Sequence, residues 1–288
     1  MHFNYKNVAL LLLVSLFTFV GCKKDNDGND SGNNPVVDPA NSLCFTAEED
    51  SVTIAMKIVG QVEALPNVEY SFDKISWHEF IPAETVVLLE KTGKKVYFRG
   101  DNPEGFSLGD GINGGFFSFI INDKRVAASG NVMSLVDPKC KTKVIPCAKC
   151  FNRLFEKTSI TTAPELPATT LTELCYYYMF FSCKNLTESP VLPATTLAPH
   201  CYTSMFCFCE NLTAVELPAT TLVNGCYYEM FLKCDNLTSV KVHFTEWSDA
   251  TEAWFALISH SGTFYCPSAL PQEFGSSRIP NGWTVENF

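Results

Sequence analysis

The hexapeptide Leu-Pro-Ala-Thr-Thr-Leu occurs three times, at Leu166–Leu171, Leu192–Leu197 and Leu217–Leu222, with starts 26 and 25 residues apart. A fixed period of this size constrains the fold more than any other feature of the chain. Each repeat must be one small supersecondary unit that stacks on its neighbours, because a unit so short cannot bury its own apolar face. Four cysteines keep the same beat, Cys150, Cys175, Cys201 and Cys226. A second set follows at Cys183, Cys209 and Cys234, where the first unit has Thr158. Met-Phe lies between the two cysteine positions of the last three units; the first has Leu154-Phe155. A terminal repeat is expected to be atypical, since one of its faces has no matching neighbour.

Within a unit, Leu212, Val215 and Leu217 read as a short strand ended by Pro218, which cannot donate to a continuing ladder. Thr220 or Thr221 is a plausible helix N-cap. Leu222, Cys226 and Met230 then recur at i, i+4 and i+8, which predicts one apolar helical face. Strand, turn and helix in about 25 residues is the leucine-rich-repeat plan. The repeat decays from about Trp247, where an aromatic C-terminal cap is expected over the last coil.

The preceding stretch, residues 43–138, shows period two instead. Val52, Ile54, Met56 and Ile58 alternate with polar or small residues, as do Phe117, Phe119 and Ile121. Lys91-Thr92-Gly93-Lys94, between two such segments, predicts a hairpin. Several short strands without a helical pattern predict an antiparallel β-sandwich. The expected class is therefore mixed α/β with β-rich content: a sandwich at 43–138, then a short leucine-rich-repeat solenoid at 139–288, capped from about residue 247.

Residues 1–21 read as an address. Lys6 gives a positive start, and Val8–Val20 is apolar except for Ser15 and Thr18, too short to span a bilayer comfortably. Gly21-Cys22 at its end resembles the bacterial lipobox. That resemblance implies a signal peptide and a palmitate-type lipid anchor on Cys22, and so a membrane partner. Residues 22–42, rich in Asp, Asn, Gly, Ser and Pro, read as a solvated tether. Its acidic start resembles the surface-export signal of Bacteroides-type lipoproteins, which implies exposure on the outer membrane.

The repeat pattern over Cys150–Val242, together with the ending Gly262–Trp283, resembles the BspA-like leucine-rich-repeat surface lipoproteins. The resemblance implies adhesion, or binding of a protein or host component, without catalytic residues. The net charge of −10 makes nucleic acid a poor partner. No nucleophile elbow, zinc-protease helix or phosphate-binding loop is present. Cys147 and Cys150 form a lone C-x-x-C without a fourth ligand at zinc-like spacing. Asp101, Glu104 and Asp110 lack calcium-loop spacing. No metal or cofactor is expected.

Candidate binding residues fall in two sets. Thr187, Thr213 and Thr238, with Glu216 and Lys241, should line up in rows on the outward strand face of the solenoid. Trp77, Tyr70 and Tyr97 form a possible sugar-stacking platform on the sandwich, which would make the chain a glycan-binding protein, with mucin among the candidate ligands. A purely structural envelope role is the third reading. The repeat cysteines either pack as reduced core columns or join neighbouring coils by disulfides.

Overall fold

The computed structural model describes residues 41–107, 115–258 and 260–288. The expected signal peptide, Cys22, nearly all of the tether and Asp110 lie outside the described residues. Twelve short strands and brief 3₁₀ turns at Val132–Leu135 and Asp249–Thr251 make up the regular structure, and no α-helix occurs among the described residues.

The period-two segments build two antiparallel sheets. β1 (Leu43–Ala47), β3 (Val68–Ser71), β4 (His78–Glu79), β6 (Lys95–Gly100) and β8 (Val126–Ser129) pair in the order β4-β3-β6-β1-β8. β2 (Val52–Val59), β5 (Val87–Leu89) and β7 (Phe116–Ile121) pair in the order β5-β2-β7. Their inward residues meet edge-on: the Phe119 ring lies 5.0 Å from Phe45 and 5.3 Å from Phe98. Lys91–Lys94 is a turn with Gly93 at φ 82°, but it does not make the expected hairpin. β5 pairs with β2 and β6 with β1 and β3, so the turn carries the chain from one sheet to the other.

In the repeats, β9 (Ala214–Leu217), β10 (Ser239–Val242), β11 (Thr263–Cys266) and β12 (Thr284–Asn287) form a parallel sheet in chain order. Val215, Val240 and Phe264 face each other in register and point inward. Each Leu-Pro-Ala-Thr-Thr-Leu is a corner whose Ala side chain is as buried as its leading Leu; Ala168, Ala194 and Ala219 are at most 1% exposed.

The expected helices are absent, and the mixed α/β class with a helix-bearing leucine-rich-repeat solenoid is corrected. Residues 149–157, 174–182, 200–208 and 225–233 are ribbons of consecutive turns. Every fourth residue has positive φ: Leu174 (57°), Tyr178 (53°) and Ser182 (58°) in one unit, and His200, Ser204 and Phe208 in the next. Backbone amides alternate in direction. Those of Cys175, Tyr177, Met179 and Phe181 close turns onto carbonyls three residues back. Those of Leu174, Tyr176, Tyr178, Phe180 and Ser182 donate to Pro199, Cys201, Thr203, Met205 and Cys207 of the following coil. An α-helix would satisfy these groups within itself and leave nothing for the neighbour. Left-handed residues other than Gly cost about 1–3 kcal/mol each; the shared ladder and the packing beneath it offset that cost.

Two aromatic columns run under the ribbons. Phe119, Phe155, Phe180, Phe206 and Phe231 stack at 5.7, 5.5, 5.7 and 6.3 Å, with planes within 12° of parallel. Phe151, Tyr176, Tyr202, Tyr227 and Trp254 stack alongside at 5.7 to 6.4 Å. The first column starts in β7, and the Phe119 amide donates to Leu154 O at 2.8 Å, so sheet and repeats share one continuous core. At the other end Trp254 packs against Phe255 at 4.7 Å and Trp247 at 5.9 Å.

The repeat cysteines are buried, free thiols. Cys183, Cys209 and Cys234 donate to the carbonyls of Phe155, Phe180 and Phe206 at 3.0 to 3.1 Å, each carbonyl also accepting a turn amide three residues on. Burial pushes the Cys175 and Cys183 thiols up to about 12 and Cys226 to about 11, from an ordinary 9.0. In the unfolded chain these thiols ionise first. Their contribution is fully present below about pH 9 and is lost as pH rises toward 12. Urea midpoints under reductant should hold between about pH 7 and 8 and fall steeply between about 9 and 10.5, with Cys183→Ala giving a shallower fall. Tyr176 carries a buried hydroxyl without a partner. Tyr176→Phe should leave the fold intact and raise stability by about 1 kcal/mol, whereas Tyr176→Ala should cost about 3–5 kcal/mol by thermal or urea unfolding.

Candidate functional site

Alternation along β9 to β12 places one set of side chains in the core and the other outward. Glu216, Lys241, Tyr265 and Glu286 form one outward row. Glu216 receives Lys241 at 3.0 Å and His243 at 2.9 Å, and these partners hold its carboxyl below the ordinary range, His243 most. A shallow depression of about 890 Å³ opens here, lined by Thr213, Glu216, Lys241, Tyr265 and Phe288 among others. The Phe288 ring lies 5.3 Å from the Lys241 ammonium and 5.2 Å from the His243 ring. Three of the residues expected on the strand face, Thr213, Glu216 and Lys241, thus meet in one place. Thr187 and Thr238 stand in the same threonine row outside the depression. The threonine hydroxyls are partly engaged: Thr213 donates to Thr187 O at 3.0 Å and Thr238 to Thr213 O at 3.5 Å.

The other three expected residues do not form one platform. In register, Tyr70 opposes Phe98 and Ser71 opposes Tyr97, so Tyr70 and Tyr97 belong to opposite faces of the sheet. Tyr70 packs toward Phe80 at 6.2 Å. Tyr97 lies outward beneath the Lys74 ammonium at 4.5 Å. Trp77 is covered by the Arg99 guanidinium at 4.0 Å, itself held by Glu69 at 2.7 Å. Both outward rings have a cation on one face.

A deeper site went unread in the sequence. A cleft of about 780 Å³ lies between the β2 and β7 ends and the ribbons of the first four units. One wall is a single repeat position read across coils, Asn152, Tyr177, Thr203 and Tyr228. Phe116 of β7 and Lys57 of β2 form the opposite side. Arg153 stands at the centre, 4.3 Å from the Tyr178 ring and 3.2 Å from the Glu156 carboxylate. Glu156 is 7% exposed and also meets Lys157 at 3.4 Å. Burial, then Tyr178, pushes the Tyr177 hydroxyl up to about 12, keeping it a neutral hydrogen-bonding group. Asn152 is 7% exposed, and its Oδ1 has no donor. An unmet buried amide costs about 1–3 kcal/mol.

His200 also reaches the cleft. Thr203 Oγ1 donates to Gly225 O at 2.7 Å, so His200 Nδ1, 3.2 Å away, is its donor. A hydroxyl whose proton is committed to a carbonyl is not an activated nucleophile. Gly225 has φ 59°, and a Cβ there would collide with the His200 ring, so the glycine serves both conformation and fit. Burial pushes the neighbouring Cys201 thiol well above its ordinary range. Among the described residues no three His, Cys, Asp or Glu side chains come together as a metal site, and no helix is long and apolar enough to cross a membrane. No family model, curated protein or solved structure matches this chain.

Proposed function

We propose that this chain is a non-catalytic, lipid-anchored outer-surface protein that binds a protein or host-surface component through the outward face of its parallel sheet. The sequence supports the address, through the lipobox-like Gly21-Cys22 and the acidic tether, and the resemblance to BspA-like surface proteins supports adhesion. The observation that carries the binding reading is the convergence of Thr213, Glu216, Lys241 and Tyr265 on one depression of the sheet. A regular parallel sheet offers rows of polar and aromatic groups at fixed spacing, suited to a large partner rather than to a small molecule.

Adhesion of the intact protein to immobilised matrix proteins and mucin, measured by surface plasmon resonance, tests the reading. The double variant Lys241→Glu/Tyr265→Ala should weaken binding at least tenfold while its far-ultraviolet spectrum and melting temperature stay unchanged. Unaltered adhesion by that variant would reject the sheet face. In cells, Cys22→Ala should release the protein from the membrane fraction.

A further inference from the structure

We propose that the cleft between β2, β7 and the ribbons is a second binding site, independent of the sheet face, and that it takes a carboxylated saccharide. Four features of its wall select that chemistry. Its volume, about 780 Å³, lies within the range of roughly 300–1,000 Å³ typical of small-ligand sites. Tyr228 offers aromatic surface to the C–H face of a sugar ring, and Phe116 and Tyr177 offer the faces left open by the Arg153 guanidinium, which lies 5.6 and 5.7 Å from their rings. The buried Asn152 Oδ1 lacks a donor, which a sugar hydroxyl supplies and a hydrocarbon or a phosphate dianion does not. Lys57 and Lys149 line the cleft without a carboxylate partner among the described residues, unlike Arg153, whose charge Glu156 meets.

Charge favours an acid over a neutral sugar. Lys57, Lys149 and Arg153 face two carboxylates, Glu156 and Glu173, and Glu156 is already shared between Arg153 and Lys157. The remaining Glu173 is exposed. A ligand carboxylate seated between the two lysines gains ion pairs in a partly enclosed site, where screening is weaker than on open surface. Arg153 is fixed by its aromatic and carboxylate contacts, and acts as a rigid floor.

Isothermal titration of the intact protein with trigalacturonic acid and with sialyllactose tests the class and separates its two common sources. At least one should bind, at least tenfold tighter than maltotriose or lactose, and more weakly as salt rises. Lys57→Gln/Lys149→Gln should lose about tenfold in affinity and flatten the salt dependence, while Lys124→Gln, on a distant turn, changes neither. Asn152→Leu should abolish binding yet raise the melting temperature of the free protein, because it removes an unmet buried amide. Equal binding of neutral sugars, equal binding of pentaglutamate, no binding at about 10 mM, or a lowered melting temperature for Asn152→Leu would each overturn the proposal. Unchanged adhesion of the Lys57/Lys149 variant to matrix proteins separates this site from the sheet face.

Discussion

Everything in the repeat region depends on how its backbone amides are shared. Each must find an acceptor once the coils pack. The ribbons answer by sending alternate amides backward into their own turns and across to the next coil. That arrangement ties local conformation to stacking, since the geometry that aims half the amides outward also demands a left-handed residue at every fourth position. A coil without its neighbour would keep the strain and lose the bonds. The two ends of the stack follow from the same requirement. β7 and β8 supply partners to the first coil, and the segment around Trp254 receives the amides of Tyr227, Glu229 and Phe231.

The side chains under the ribbons obey a packing rule of alternating size. Large rings stack ring on ring, and the positions beside them hold cysteine, a small apolar group able to give one weak hydrogen bond. The thiols of Cys183, Cys209 and Cys234 use it on carbonyls inside the core. Serine would fit, but a hydroxyl is costlier to bury; alanine would leave those acceptors with fewer donors. The cysteine columns are thus a packing solution as well as a repeat signature.

Much of this was legible and some was not, for definite reasons. Alternation at Val52–Ile58 and Phe117–Ile121 corresponds to β2 and β7, because a strand with one buried face has only one periodicity. The repeat period was visible in the cysteines alone. The helix was misread because Leu222, Cys226 and Met230 at i, i+4 and i+8 suit a helix and a four-residue turn ribbon equally. The distinguishing signal lay one step further along: Leu222, Cys226, Met230 and Cys234 keep a strict four over the whole run, where a helical stripe of that length mixes threes and fours. Positive φ gave little warning, since Leu174, Tyr178 and His200 adopt it and only Gly225 marks the same position with a glycine. The cleft was hidden because Lys57, Phe116 and Asn152 come from distant segments, and only the stacking of unlike residues at one repeat position brings Tyr177, Thr203 and Tyr228 beside them.

The coil presents on its upper side the same ladder that it receives below. Copy number is therefore a free variable: a 25-residue duplication in the middle of the array meets familiar edges on both sides and leaves the end fittings alone. Adjacent strands lie about 4.8 Å apart, so each added unit lengthens the outward sheet by about that much. The cleft, anchored to β2 and β7, stays single. Duplication would extend one surface and leave the other unchanged, so the two can vary independently.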